Sequence, residues 1–313
     1  MHERERDAGM SAGEQLARVG EIELCYETFG AEGSPPLLLV MGLGSQMVLW
    51  DDDFCQTLAD RGFWVIRFDN RDIGRSTILR DAPVPTRGQL LRRDRRAASY
   101  SLGDMAGDAA GLLDHLDVRA AHVVGVSMGG MIAQLLAIHH PERVLSLVSI
   151  MSSTGNRRVG RMSPRLIPRL LRRARRDREG YARDFLATYR AIGSPAYPLD
   201  PVRNRALAER CHDRGIHPDG AARQLAAIIA AGDRTPLLRQ LRVPATVIHG
   251  AADRLVNPSG GYATAAAIPG AELVIVPGMG HDLPPALWPQ IIEEIVRNAS
   301  RPTAGASPVS HPS

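Results

Sequence analysis

The sequence predicts an α/β fold: a mostly parallel central sheet with helices on both faces and a helical cap inserted between two of its strands. Three observations carry this prediction. Short apolar runs of four to seven residues recur along the chain, punctuated by Gly or Pro and separated by helical patterns. One such run ends in Gly125-Val-Ser127-Met-Gly129 and opens directly into a helical pattern. The stretch 151–242, by contrast, has no strand-like run and alternates Arg-rich helix with Pro and Gly breaks.

Taken in order, residues 1–17 read as a polar arm. Val19 to Phe29 mixes alternation with β-branched and aromatic residues, which suits edge strands. Buried strands are expected at Leu37–Met41, Trp64–Phe68, His122–Val126, Val144–Ile150, Ala245–Ile248 and Leu273–Val276. Crossover helices are expected at Gln56–Arg61, Met105–Leu116 and Met128–His139, and a closing amphipathic helix at Leu287–Ala299. Tyr181, Phe185, Tyr189 and Ile192 recur at helical spacing and should form the buried face of a cap helix. The expected division is a core of 18–150 and 243–300, a cap of 151–242, and a Pro-rich disordered tail of 301–313.

Length and composition exclude several classes. At 313 residues, a chain buries about three-quarters of its unfolded surface and needs neither metal nor disulfide to hold a core. No run approaches the ~20 apolar residues of a membrane span, and the charged start MHERERDAGM does not read as a secretory signal. Cys25, Cys55 and Cys211 form no CxxC pair, so disulfide scaffolds and thiolate zinc sites are not expected. The expected location is the cytoplasm. The chain has no Lys, and residues 157–179 hold ten Arg against Asp177 and Glu179, a local +8 that leaves the rest of the chain at −4. Such a block reads either as a solvated helical face or as weak contact with anionic lipid. It lacks the interleaved aromatics that nucleic acid would require.

The chemistry is carried by Ser127. Its G-x-S-x-G setting between strand and helix strains a serine into an exposed position. Gly125 and Gly129 make room for the sharp turn, and Gly130 lets the helix lie close to the sheet. A serine hydroxyl needs a base, and the base an orienting acid. Asp253 follows the strand ending in VIHG, and His281 follows the last strand, so the order along the chain is nucleophile, acid, histidine. Both lie at carboxyl ends of strands, where open α/β sheets carry their sites. Gly278 and Gly280 should let the His281 loop reach back over Ser127. His249 reads as a strand-end residue, His139 and His140 as helix-closing residues, and Asp282 as badly placed to orient the ring beside it. Backbone N–H groups of Met128 and of Leu43, in Met41-Gly42-Leu43-Gly44, are the expected donors to a tetrahedral oxyanion.

VMGLGSQMVLW, FDNRDIGRST, HVVGVSMGG and PGMGHDLP together resemble serine hydrolases of the α/β-hydrolase fold over roughly residues 18–300. Within that family they are most similar to bacterial carboxylesterases of the aclacinomycin methylesterase kind. Asp69-Asn-Arg71-Asp-Ile-Gly74-Arg-Ser76 resembles the family's D-x-R-G-x-G-x-S loop, with Asp72 where Gly is usual. Met41-Gly42 stands where His-Gly is commoner, a change that should alter loop packing more than a backbone donor.

The implied function is hydrolysis of a small-molecule carboxylic ester through Ser127, His281 and Asp253, by an acyl-enzyme that needs no cofactor and no metal. The same triad serves thioester hydrolysis, carbon–carbon bond hydrolysis and peroxide-dependent acyl transfer. An interfacial lipase or phospholipase would use the Arg-rich cap, with Ser163 and Pro164 opening a helix that bears Leu166, Ile167, Leu170 and Leu171. A ligand-binding member of the fold would be expected to show a damaged triad. A serine nucleophile excludes the branches that use aspartate or cysteine.

Overall fold

A computed structural model describes residues 13–166 and 175–302. Eight strands form one sheet in the order β1-β2-β4-β3-β5-β6-β7-β8. The strands are β1 (Gln15–Val19), β2 (Ile22–Phe29), β3 (Pro36–Val40) and β4 (Trp64–Phe68), then β5 (Ala121–Val126), β6 (Val144–Ile150), β7 (Ala245–Gly250) and β8 (Glu272–Val276). The pairs β1–β2 and β2–β4 are antiparallel and all others parallel.

Pattern and packing agree in β3. Leu38 and Val40 enter the core on one face, while Leu37 and Leu39 enter the opposite core with Trp50, Phe54, Ile291 and Ile295. A strand covered on both faces has no position for a polar residue, hence the unbroken apolar run. Truncating Leu38 to Ala would cost about 2–5 kcal/mol on such a site.

Five helices follow in the first half or close the chain: α1 (Asp52–Asp60), α2 (Arg87–Arg92), α3 (Leu102–His115), α4 (Met128–His139) and, last of all, the helix Trp288–Ala299. α4 is buried from Met128 to Ala137, as befits a helix apolar on every side. Among the described residues between β6 and β7 there is no strand, and the α-helices are α5 (Arg178–Ile192), α6 (Pro201–Asp213), α7 (Pro218–Ala231) and the short α8 (Thr235–Leu238). Asp177 and Asp200 cap α5 and α6 by accepting N–H bonds from the first turn. A ninth helix, α9 (Ser259–Ala267), joins β7 to β8, and Trp288–Ala299 is α10.

The structure departs from expectation in several places. Gln15 already pairs with Tyr26, so ordered structure begins inside the expected polar arm, and 19–29 holds a hairpin turn and one strand. α1 and α3 start three or four residues early, at Asp52 and Leu102, because Asp51 and Ser101 cap them. α9 was not expected; its Gly- and Ala-rich sequence gives little apolar periodicity. The aromatic stripe of α5 is only half-buried, since Phe185 stacks on Tyr189 (centroids 4.5 Å apart) and Tyr181 packs on His212. The fully covered positions of α5 are Gly180 and Ala182.

At the end of the Arg-rich block, Arg178 pairs with Asp213 (2.9 Å) and Glu209 (2.8 Å), which neutralises it against α6. Pro164–Leu166 forms a single 3-10 turn. Ile167, Leu170 and Leu171, residues 1–12 and residues 303–313 lie outside the described residues. Among the described residues no helix is long and apolar enough to cross a membrane.

Candidate active site

Ser127 closes β5 and precedes α4 with φ 56° and ψ −116°, a conformation L-residues avoid unless the surroundings impose it. Its N–H donates to the Ile150 carbonyl at 2.8 Å. A side chain on Gly125 would collide with the Gly129 carbonyl, and one on Gly129 with the carbonyl of Val40. A Cβ on Gly130 would fall 2.6 Å from Ser152 Cβ. The three glycines therefore allow the sharp turn and the close helix, as their spacing predicts.

His281 Nε2 lies 3.1 Å from Ser127 Oγ, and His281 Nδ1 lies 2.7 Å from Asp253 Oδ2. Asp253 is 3% exposed and His281 8%. Burial alone would raise the Asp253 carboxyl. The adjacent His281, hydrogen bonds from His249 and His281, and the Val256 N–H outweigh it and bring the group down to about 2. Its Oδ1 accepts the N–H groups of Leu255 (2.8 Å) and Val256 (2.9 Å). An ionised carboxylate only accepts, so the ring proton belongs on Nδ1 and Nε2 is left to accept from Ser127.

The two segments expected to carry the oxyanion donors run next to Ser127. Met128 is the first residue of α4, where an N–H has no intrahelical acceptor. Gly42 approaches so closely that a Cβ there would sit 3.3 Å from Ser127 Cβ. Leu43 follows it, and its carbonyl accepts from Ser45 Oγ at 3.3 Å. The loop resembling D-x-R-G-x-G-x-S supports this turn: Asp69 Oδ1 accepts from Met47 N–H (2.7 Å), and Asn70 Nδ2 donates to the Met41 carbonyl (3.0 Å). A Cβ on Gly74 would collide with the Asp69 carboxylate.

Around these residues sequence reasoning did not single out Ser194, and the others it named sit as follows. His249 is fully buried, with Nε2 2.8 Å from the Val256 carbonyl and 3.4 Å from Asp253 Oδ2. Asp282 does not orient His281; it accepts a hydrogen bond from Ser194 Oγ, and Ser194 in turn accepts from Gly280 N–H at 2.9 Å. Gly278 and Gly280 are required for a reason other than reach alone. Side chains there would collide with Ala196 and with the Gly193 carbonyl, the segment that follows α5. A cavity of about 190 Å³ opens beside Asp282, lined by Tyr189, Arg190, Ser194, Leu199 and Arg254 among others. Among the described residues no group of three or more His, Cys, Asp or Glu side chains is placed to hold a metal ion.

Comparison with known proteins agrees with this architecture. The family model for the alpha/beta hydrolase fold matches residues 35–284. Rhodomycin D methylesterase DnrP of Streptomyces peucetius is 30% identical over 289 residues, covering 85% of this chain and 91% of that protein. A thermophilic esterase from Thermogutta terrifontis superposes with a TM-score of 0.68 at 25% identity, over 93% of this chain and all of that one. The enol-lactonase of Burkholderia xenovorans reaches a TM-score of 0.72 at 24% identity, over 92% of this chain and 100% of that one, and supports the fold alone. The chain belongs to the α/β-hydrolase-fold family and is a hydrolase.

Proposed function

We propose that this protein hydrolyses carboxylic esters, with Ser127 as nucleophile, His281 as general base and acid, and Asp253 as the orienting acid. One observation carries the reading: Ser127 Oγ, His281 and Asp253 lie in line at 3.1 Å and 2.7 Å, with the serine on a strained strand-to-helix turn. Ser127 Oγ attacks the ester carbonyl while its proton passes to His281 Nε2. The charge that forms on the ring is stabilised by the Asp253 carboxylate. The carbonyl oxygen becomes an oxyanion held by the N–H groups of Leu43 and Met128, each worth about 3–4 kcal/mol in the transition state. The C–O bond to the alcohol breaks, the alcohol leaves with the proton from His281, and the acyl group remains on Ser127. Water then attacks the acyl carbon as its proton passes to His281, the bond to Ser127 Oγ breaks as that proton returns to the serine, and the acid is released.

The segment 151–242 is the cap over this site, set on a core that runs from β1 at Gln15 to 150 and from 243 to 300. Likeness to a rhodomycin D methylesterase supports a methyl or other small alkyl ester as the substrate class. The buried thiols Cys25, Cys55 and Cys211 suit a reducing compartment such as the cytoplasm. Initial rates on p-nitrophenyl esters from acetate to palmitate test the reading. We expect short acyl chains to be favoured by the wild type and Ser127→Ala to be inactive. A preference for palmitate presented on anionic vesicles would favour interfacial action, and inactivity on every ester would favour a thioester or carbon–carbon substrate.

A further inference from the structure

We propose that Gln224, on α7, positions the oxyanion loop, and that the buried Asp72–Arg223 pair holds Gln224 in register. The proposal rests on the reading of Leu43 N–H as an oxyanion donor.

Residues 42–45 form a tight turn closed by Ser45 N–H donating to the Gly42 carbonyl at 3.2 Å, with Gly44 in third place at φ +66°. That position of such a turn needs a positive φ, which glycine adopts without steric cost. The Gly42 carbonyl and the Leu43 N–H belong to one trans peptide unit and point in opposite directions. The bond that draws the carbonyl into the turn therefore turns the Leu43 N–H out of it. Keeping that bond requires the next peptide to hold its plane, and here the helical segment intervenes. Gly44 N–H donates to Gln224 Oε1 at 2.9 Å, and Gln224 Nε2 donates to the Arg71 carbonyl at 2.8 Å. Gln224 is fully buried. α7 also limits the turn sterically, since a Cβ on Gly44 would rest 3.3 Å from Ala221 Cβ.

The neighbouring residue on the same helix explains the departure of Asp72 from the glycine usual in this loop. Asp72 has φ +71°, a left-handed conformation that disfavours a side chain by about 1–2 kcal/mol. Its carboxylate takes both Arg223 Nε (2.8 Å) and Nη2 (2.7 Å), and both side chains are buried. Burial would raise the Asp72 carboxyl, but the hydrogen bonds from Arg223 and from Leu79 N–H hold it below its ordinary value. A Cβ on Gly220 would collide with the Asp72 carbonyl, so the helix sits directly on the loop. One pair thus ties α7 to residues 69–76, and the adjacent glutamine spans from those residues to the oxyanion turn.

Gln224→Ala tests this, with p-nitrophenyl acetate as substrate. We expect kcat to fall on the order of tenfold to a hundredfold, less than the ~10²–10³ lost with a donor itself, at a KM within about twofold. A trifluoromethyl ketone, whose adduct with the serine carries the oxyanion, should lose affinity in proportion to kcat/KM. The matching amide, a ground-state mimic, should not. Gln224→Glu should recover part of the rate, more at pH 6 than at pH 8 relative to wild type, because only the protonated acid both accepts from Gly44 and donates to Arg71. If Gln224→Ala does not fold, the near-isosteric Gln224→Met is measured in its place. Unchanged kcat and ketone affinity in a folded variant would overturn the positioning role while leaving the triad intact. Ester turnover by Ser127→Ala would instead remove the reading beneath it.

Discussion

The backbone N–H of His281 donates to the carbonyl of Ile192, the last residue of α5, at 2.8 Å. The histidine loop is therefore held by the helical segment between β6 and β7. Ser194 continues the contact, joining Gly280 N–H to the buried Asp282 carboxylate. Removing its hydroxyl leaves both groups without that partner, at a cost of about 1–3 kcal/mol. Ser194→Ala should lower the denaturant midpoint by a corresponding amount and reduce kcat more than it raises KM. Stability and kcat both at wild-type level would show that the loop is held by its other contacts.

Asp253 should be required for the histidine tautomer. Asp253→Asn replaces an acceptor by a group that also donates, which favours the proton on the wrong ring nitrogen. We expect kcat to fall by about 10³–10⁴ with little change in KM. Near-wild-type turnover would assign the orienting role to another group.

The same carboxylate makes a pH prediction. Its folded value of about 2 lies below the ordinary 3.8, so its stabilisation is complete above pH ~4 and is lost as pH falls toward 2. The difference is worth on the order of 2 kcal/mol. Urea midpoints recorded between pH 5 and 2 should therefore fall less steeply for Asp253→Asn than for wild type. Parallel slopes would mean that other carboxylates carry the acid sensitivity.

Cys25, Cys55 and Cys211 are buried, and burial pushes the thiols of Cys55 and Cys211 up to about 12 and that of Cys25 higher still. Thiolate is the reactive form, so none should react with iodoacetamide at pH 8 until the protein is unfolded. Rapid labelling of the native protein would indicate local opening, at β2 for Cys25 or at α6 for Cys211.

Much of the fold was legible because a parallel sheet writes itself as apolar runs. β4 and β6 begin and end where their runs do, and β5 differs by the single residue Ala121. That Ser127, Asp253 and His281 meet was legible because each follows such a run at its carboxyl end. What escaped the sequence depends on side chains meeting across long separations. His249 sits near Asp253 only because the chain turns after β7. Asp282 finds Ser194 88 residues away, and Arg223 reaches Asp72 across 151. The half-buried ring stack of α5 has the spacing of a core stripe, and periodicity alone does not say how deeply a face is covered.

The most direct test of the central claim is covalent labelling with a serine-directed fluorophosphonate, followed by peptide mass spectrometry. We predict one adduct, on Ser127, formed in step with loss of ester turnover and absent from Ser127→Ala. An adduct on another residue, or full turnover after Ser127 is modified, would contradict it.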